Sequence, residues 1–504
     1  MDASSIWSAV SGVAAPSAPL QQDLEVDVVI VGAGITGLTA ALRLSDAGGI
    51  RVAVLEADAV ASGTTGASTG NLYATVDQGL ARIRQKWGDT TLREVVGARL
   101  AAMTLIRETA IRFNIDCGLV RSPLYLCVAA DNPGQLEMLE REREAMIAAG
   151  LPVEETAEVP PPFSVARALR LDDQGQLNPT AYARGLAAAL PTASCQIYGG
   201  SRVVEFDAGA GVVQTVSAKV KAKHIVFATH TPKGVSLLHT ELGPYREYGI
   251  AARVDGAPPP AGAFWILDEK RSVRGYRSGG EDYLIVIGEQ HKTGHQPERA
   301  RYYDVLADYA QALFGTRTPD YRWSAQNYRP ADELPYIGCS PGHDNIYVGT
   351  GYATSGLVYG TLAGMLISDL ILERSNRWQA IFDSRRFTPM KSAARLLKEN
   401  VQVAGDLLKD YVAPAELEHV EEVPRGEGRI VKLGRDKTAV YRAADDSLIM
   451  LSPVCPHMKC LVRWNNIDKS WDCPCHGSRF QADGAYIEGP ALHGLESRAP
   501  DIKG

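Results

Sequence analysis

The chain has 504 residues, of which 45% are hydrophobic and 22% are charged, so it is long enough to form more than one domain with a buried core. Its 52 Lys and Arg and 59 Asp and Glu give a net charge of −7, without the concentrated basic patch that phosphate binding needs, which disfavours a nucleic-acid partner. No apolar stretch of about 18 residues and no signal-peptide pattern occur, so we predict no membrane span and, as the simplest location, the cytoplasm.

The first ordered unit follows an Ala/Ser/Pro-rich segment, residues 1–24, for which we predict a flexible arm. Val26–Val31 is an apolar strand, an Ala/Leu-rich helix then runs to Ala47, and Arg51–Glu56 is a second strand. Between strand and helix lies Gly-Ala-Gly-Ile-Thr-Gly at 32–37, whose glycines permit a tight turn and the close approach of a pyrophosphate to the helix N-terminus. An acid at the end of the second strand takes ribose hydroxyls, so this unit predicts a bound dinucleotide.

The segments that follow are of two kinds: some are expected to contact the ligand, and others are expected to form a second domain. Residues 61–70 are all Gly, Ser, Thr or Ala, which suits close contact with a ligand. Residues 74–165 carry helical periodicity with many charges, and residues 236–320 include the apolar strand Tyr283–Ile287, so these insertions predict the substrate domain. Residues 345–356 form a second strand–glycine–helix unit, with a helix running to about Leu372, and the positive helix N-terminus suits an anionic flavin ring.

The region before the C-terminal domain is predicted to be a linker. An amphipathic pattern from about Met390 to Tyr411 predicts one helix, which Pro414 ends, and an acidic stretch at 416–422 follows.

Two short loops near the C-terminus combine cysteine with histidine. The first contains Cys455-Pro-His457 and the second contains Cys473-Pro-Cys-His476. Each loop offers one thiolate and one imidazole, so one iron can receive two sulfurs and the other two nitrogens, as in a Rieske [2Fe–2S] centre. Zinc is the alternative, because Cys₂His₂ is also a zinc ligand set. We therefore predict these four residues as iron ligands and one-electron transfer as the chemistry of the module.

The stretch from Cys455 to Ser478 resembles the Rieske proteins of the cytochrome bc1 and b6f class. The resemblance implies a disulfide between Cys460 and Cys475, whereas two free thiols are the alternative that a reducing cytosol favours. It also implies that the Ser478 hydroxyl donates to a cluster sulfur, while Phe480 replaces a tyrosine that would do the same. The missing hydrogen bond predicts a reduction potential below that of respiratory-chain members.

Residues 25–385 resemble the FAD-dependent oxidoreductases of the D-amino-acid oxidase/glycine oxidase superfamily. Besides the dinucleotide unit, Trp323–Gly338 is similar to that superfamily's Trp…Asp-x-x-Pro-x-Ile-Gly stretch beneath the flavin. The whole chain resembles a bacterial group in which such an enzyme carries a C-terminal Rieske domain. The resemblance implies non-covalent FAD. The expected FAD contacts are Gly32, Gly34, Ile35, Thr36, Gly37, Glu56, Ala57, Ser62, Gly63, Thr64, Thr65, Val203, Ala228, Thr229, Gly349, Gly351, Ser355 and Gly356.

One position departs from the superfamily pattern. Its amino-acid oxidases carry an arginine that clamps the substrate carboxylate, and Asn327 occupies the matching position here. Arg329 lies two residues further, and a bidentate clamp is geometrically demanding, so an α-amino-acid substrate is not assumed. Arg329 is either a substrate contact or an ordinary charge. His291 and Tyr352 are the other candidate catalytic residues, and no general base is assigned.

Glu289, His291 and His295 also match the residue types of a two-histidine, one-carboxylate iron site. Their spacing is not that of the Rieske oxygenases, and the fused domain resembles a flavoprotein. A structural or substrate-facing role for these histidines is therefore the preferred interpretation.

The predicted fold is an α/β FAD-binding Rossmann-like domain of the glutathione-reductase type with an α+β substrate domain, followed by an all-β Rieske domain. The predicted boundaries are 25–385 for the oxidoreductase, with its substrate part at about 74–165 and 236–320, then 386–419 for a helical linker and 420–504 for the Rieske domain.

The predicted function is C–N oxidation of an amine or amino-acid-like substrate, including secondary or N-methylated amines. Electrons would pass from reduced FAD to the [2Fe–2S] cluster and then to an external acceptor. One alternative is an electron-transfer protein that serves a separate partner enzyme. Another is a plain flavin oxidase with a structural Rieske domain.

Overall fold

The computed structural model describes residues 4–13, 17–130, 132–297, 300–386, 388, 391–392, 400–403, 405, 411–434 and 436–498. The helix predicted from about Met390 to Tyr411 falls mostly outside these residues. The helices are α1 (Ile6–Val10), α2 (Ile35–Ala47), α3 (Leu80–Arg112, interrupted at Gly88), α4 (Pro133–Ala148), α5 (Pro179–Ala189), α6 (Tyr302–Phe314), α7 (Gly356–Ile371) and α8 (Gln379–Phe382).

The strands are distributed over the whole chain. They are β1 (Leu24–Val31), β2 (Val52–Leu55), β3 (Asn71–Leu72), β4 (Val120–Val128), β5 (Val153–Thr156), β6 (Arg167–Gln176), β7 (Cys195–Tyr198), β8 (Val203–Asp207), β9 (Val212–Thr215), β10 (Lys219–Phe227), β11 (Leu242–Arg253), β12 (Ala263–Ile266), β13 (Arg271–Ser278), β14 (Glu281–Lys292), β15 (Tyr321–Pro330), β16 (Tyr336–Cys339), β17 (Ile346–Thr350), β18 (Glu427–Leu433), β19 (Asp436–Arg442), β20 (Leu448–Leu451), β21 (Arg463–Asn465), β22 (Ser470–Asp472), β23 (Arg479–Gln481) and β24 (Tyr486–Glu488).

The first sheet has the order β16-β17-β10-β1-β2-β7, in which all strands except β16 run parallel. Its central strands are apolar because both faces are covered. Helices α2 and α7 pack against each other, and two glycines of α7 allow their close approach. A Cβ atom at Gly360 or Gly364 would lie 2.6 Å from side-chain atoms of Ile35 or Thr39. This packing brings the N-termini of α2 and α7 to the same end of the sheet, as the Rossmann-like prediction requires.

The second sheet has the order β15-β11-β14-β13-β12-β4-β6-β3, with β5 beside β6, and its pairs are antiparallel except for β4 and β12. It forms the substrate part together with α3, α4 and α6. The helical periodicity of residues 74–165 is confirmed by α3 and α4, but β4 and β5 also lie there. β5 was missed because it has four residues, two of them exposed, and so lacks a clear apolar pattern.

The C-terminal part is built from two small sheets, β18-β19-β20 and β21-β22-β23-β24. Trp471 and Phe480 are fully buried in its core, and Trp464 packs edge-on against Trp471. One Cys/His loop follows β20 and the other connects β22 to β23, so the two loops lie at one end of this all-β unit.

The flexible arm predicted for residues 1–24 is wrong for residues 6–10. Residues 6–10 form α1, and Ile6 and Trp7 are fully buried against the second sheet. Trp7 Nε1 also donates to the Ser68 carbonyl at 2.7 Å. The Ala/Ser/Pro-rich composition led to this error, because it gave little weight to two large apolar residues that pack against the second sheet. No helix in the described ranges is both long and apolar enough to cross a membrane.

Candidate active site and iron–sulfur centre

A cavity of about 560 Å³ lies between the first sheet, the second sheet and the C-terminal domain. Glu56 and Val203 line one end of it, whereas Glu247 and Asn327 line the part formed by the second sheet. Of the residues predicted to bind FAD, Gly37, Gly349, Gly351 and Ser355 are not in its lining. The other predicted FAD contacts do line the cavity, and they are Gly32, Gly34, Ile35, Thr36, Glu56, Ala57, Ser62, Gly63, Thr64, Thr65, Val203, Ala228, Thr229 and Gly356.

The glycine-rich turn has the close packing that a dinucleotide site needs. Gly32 has φ +108°, and a Cβ there would lie 2.6 Å from the Ala228 carbonyl oxygen. A Cβ at Gly37 would lie 2.0 Å from the Gly32 carbonyl oxygen, so any side chain would displace the start of α2. The backbone amide of Ile35 donates to Thr65 Oγ1 at 3.1 Å, which joins the turn to the Gly/Ser/Thr loop.

Glu56 closes the end of the cavity that the sequence assigns to the adenosine ribose. Its carboxylate accepts hydrogen bonds from the amides of Ala33 at 2.7 Å and Asp58 at 3.0 Å. Burial raises the pKa of Glu56, and these two donors oppose that rise. The acid is therefore held in one orientation directly after β2.

Strands β11 and β15 line the cavity and also contact the C-terminal domain, which lines another part of the cavity. On β15, Trp323 donates from Nε1 to the Ala67 carbonyl at 3.0 Å, on the cavity side. Two other residues of β15 line the cavity and also contact the C-terminal domain. Ser324 Oγ donates to Asp468 at 3.0 Å, and Gln326 Nε2 donates to the Gly477 carbonyl at 2.8 Å. One strand thus joins the cavity wall to the C-terminal domain.

The three candidate catalytic residues do not come together. Tyr352 lines the cavity, and its hydroxyl lies 3.3 Å from Thr36 Oγ1. Arg329 is outside the lining and hydrogen-bonds Gln290. His291 is also outside it, with its ring stacked 5.0 Å from that of Tyr302.

The alternative iron site is not formed by the described residues. Glu289 pairs with Arg271 at 3.5 Å, and burial lowers the pKa of His291 to about 4. In the part of the chain that the structure describes, the ligand-type atoms that come together belong instead to Cys460, Cys473 and Cys475, in the Cys/His loops, and two of these three sulfurs are joined in a disulfide.

The four predicted iron ligands converge. Cys455 and Cys473 are buried, and the ring centroids of His457 and His476 are 5.1 Å apart. His457 Nε2 and His476 Nδ1 are buried without a hydrogen-bond partner, as expected of ligand atoms that await a metal. Burial lowers the pKa of His457 to about 4 and that of His476 to about 3, so both imidazoles are neutral and able to coordinate. This donor set fits a [2Fe–2S] cluster.

The other two cysteines of these loops form the predicted disulfide, Cys460–Cys475, with Cα atoms 6.5 Å apart. This bond ties the two loops together and removes both sulfurs from the possible ligands. Ser478 is fully buried, accepts a hydrogen bond from the Ala491 amide at 3.2 Å, and contributes with Cys473 to lowering the pKa of Cys455. Phe480 is fully buried and offers no hydroxyl.

Sequence reasoning missed the groups that join the two domains. The ring of His239 lies 4.7 Å from that of His457 and 5.8 Å from that of His476. Arg246, 1% exposed at its side chain, pairs with Asp468 at 2.7 Å. No local pattern marks these residues, because their partners lie more than 200 positions away along the chain.

Comparison with known proteins agrees with both halves of the architecture. A family model described as "FAD dependent oxidoreductase" matches residues 27–370, and one described as "Rieske [2Fe-2S] domain" matches residues 414–499. The chain is 30% identical over 490 residues to "Putative Rieske 2Fe-2S iron-sulfur protein YhfW" from Bacillus subtilis (strain 168), with 95% of each chain covered.

Two further similarities concern the N-terminal part. "Gamma-glutamylputrescine oxidoreductase" from Escherichia coli (strain K12) is 26% identical over 75% of this chain and 91% of that protein. The solved glycine oxidase from Geobacillus kaustophilus has a TM-score of 0.61 at 21% identity, covering 72% of this chain and 100% of its own. At this identity, the similarity to glycine oxidase shows that the two proteins share a fold.

Proposed function

Because the chain belongs to the FAD-dependent oxidoreductase family and carries a Rieske [2Fe–2S] domain, we propose that it oxidises the C–N bond of an amine or amino-acid-like substrate and passes the electrons through the cluster to an external acceptor. FAD supplies a two-electron acceptor, and the [2Fe–2S] cluster supplies a one-electron carrier. The cytoplasmic location stays a prediction.

The observation that carries the proposal is the direct contact between the cavity wall and the cluster loops. Tyr328 and Gln326 both line the cavity. Gln326 Nε2 donates to the Gly477 carbonyl at 2.8 Å, and the Tyr328 hydroxyl lies 3.4 Å from the His476 carbonyl oxygen. A structural Rieske domain would not need its ligand loop against the wall of the flavin cavity, which favours electron transfer between the two sites.

The cofactors would be held by the residues already described. The glycine-rich turn and Glu56 would hold the adenosine diphosphate part of FAD, while Tyr352 and the start of α7 would lie beside its other end. Cys455 and Cys473 would ligate one iron, and His457 and His476 the other. The C-terminal domain also lines the cavity from Tyr486 to Leu492, so it helps to exclude water from the reacting centre.

An anaerobic titration of the purified holoenzyme with a panel of primary, secondary and N-methylated amines tests this function. The expected result is bleaching of the flavin followed by the EPR signal of a reduced Rieske cluster. A Cys473→Ser variant provides the control, because it should keep FAD and still bleach without the EPR signal.

Other outcomes point to the alternatives. Reduction only by NAD(P)H or by a partner protein would favour an electron-transfer module. Flavin reduction by an amine with no cluster reduction, in a protein that holds the full complement of iron, would favour a plain oxidase.

A further inference from the structure

We propose that the cavity selects an organic cation that has no carboxylate beside its amino group, and that Glu247 is the residue that pairs with this cation. The proposal rests on the amine oxidation proposed above and specifies its substrate class. It adds a binding residue to a site in which the superfamily's carboxylate clamp is replaced by Asn327.

Glu247 lies in the right part of the cavity. It is a β11 residue paired in register with Ala325 of β15, and both residues line the cavity together with Asn327. The opposite end is lined by Glu56 and Val203, where the adenosine is expected. Glu247 therefore faces the part of the cavity that is left for the flavin ring and the substrate.

The carboxylate of Glu247 is incompletely satisfied by the protein. Gln290 donates from Nε2 to Oε1 of Glu247, while Oε2 receives no hydrogen bond from a described side chain or amide. The side-chain oxygen of the same Gln290 accepts a hydrogen bond from Arg329. The Gln290 amide therefore lies between the Glu247 carboxylate and the Arg329 guanidinium. A carboxylate in a desolvated cavity gains most from a cationic partner that donates hydrogen bonds.

The nearby guanidinium is outside the cavity lining and is held by other side chains, although its Nε has no hydrogen-bond partner among the described residues. Arg329 is stacked 4.6 Å from the ring centroid of Tyr245 and lies 4.0 Å from Asp77, in addition to its bond with Gln290. A substrate carboxylate would therefore find Glu247 and a neutral amide at Asn327 instead of a free arginine.

The cations that do line the cavity are bound to other groups. Arg202 pairs with Asp58 at 3.1 Å, Lys233 donates to the Gly489 carbonyl at 2.7 Å, and Arg479 pairs with Asp472 at 2.9 Å. Two of these three contacts involve the C-terminal domain. An α-amino acid would place its carboxylate near a like charge in low dielectric, and such repulsion is an effective means of excluding a ligand.

Binding of non-reacting ligands to the oxidised holoenzyme tests the proposal without turnover. Butyltrimethylammonium carries a permanent positive charge and no nitrogen lone pair, and hexanoate is a negatively charged counterpart of similar length. Perturbation of the flavin absorption spectrum, titrated with each compound, gives the dissociation constants. We expect the cation to bind and hexanoate to bind at least about tenfold more weakly.

Two variants locate the effect. Glu247→Gln keeps the shape and should weaken binding of butyltrimethylammonium by about 10-fold to 100-fold, because it removes the attraction between two opposite charges in a cavity of low dielectric. Glu289→Gln is the matched control, since it removes a carboxylate from the neighbouring strand β14, outside the cavity lining, and should leave the affinity unchanged. Equal binding of both ligands, or an unchanged affinity in Glu247→Gln, would overturn the proposal.

The outcome separates this proposal from the proposed function. If the cation binds through Glu247 but no amine reduces the flavin, amine oxidation is wrong and the cation site stands. If α-amino acids reduce the flavin and the cation fails to bind, C–N oxidation stands and the selection for cations is wrong.

Discussion

Replacing Arg246 with methionine should loosen the contact between the two domains. The Arg246 side chain is 1% exposed on β11, and its two terminal nitrogens lie 2.7 Å from Asp468 and 3.1 Å from Glu488 of the Rieske domain. Removing one partner of a buried ion pair costs about 3–5 kcal/mol because the other charge stays buried. Arg479 also contacts both acids, at 3.1 and 2.8 Å, so we take the lower figure, about 3 kcal/mol.

That free energy corresponds to a factor of about 100 in the equilibrium between docked and undocked domains. Native-state hydrogen exchange read by mass spectrometry should therefore show faster exchange around Asp468 and Glu488, and electron transfer from flavin to cluster should slow. Arg277→Met is the control, because its partner Asp282 is 3.9 Å away and the arginine is 69% exposed, so at most about 1 kcal/mol is lost. If Arg246→Met exchanged no faster than Arg277→Met, the domain contact would not depend on this ion pair.

Three further predictions concern the cofactors and the cavity. Gly37→Ala should abolish FAD binding, because its Cβ would lie 2.0 Å from a backbone oxygen, whereas Gly97→Ala on α3, with its nearest atom at 3.6 Å, should purify with a full complement of flavin. Phe480→Tyr should raise the cluster potential in an EPR-monitored redox titration, since a hydrogen bond to sulfur stabilises the reduced cluster; an unchanged or lower potential would contradict the assignment. Burial raises the pKa of Glu247 to about 7, so its carboxyl is neutral below that pH and affinity for a permanently charged ammonium should rise between about pH 6 and pH 8. Burial also lowers the pKa of Lys233 to about 7, so this group loses its positive charge over the same pH range, which also raises the affinity for a cation. The increase in affinity with pH must therefore be smaller in Glu247→Gln than in the unaltered protein if Glu247 is the cation site.

The local elements were predictable because their signals lie within short stretches. The strand and helix around the glycine-rich turn end where predicted, at Val31 and Ala47, since apolar runs and glycines determine them without distant partners. The Cys/His loops were predictable for the same reason. The position of Glu247 was not, because it depends on the pairing of β11 with β15, some 80 residues later. The burial of Trp7 also depends on a surface that distant strands create.

The double contact of β15 has a consequence for how such a protein can change over time. Ser324, Gln326 and Tyr328 line the cavity and also touch the Rieske domain, so the same side chains serve the small molecule and the electron carrier. A single-residue insertion would turn these side chains to the other face of the sheet. Substitutions at these positions would alter the cavity lining and the domain contact together. A Rieske module appended to a related oxidase would therefore need changes on this strand that also alter the cavity, so the two halves are not freely interchangeable parts.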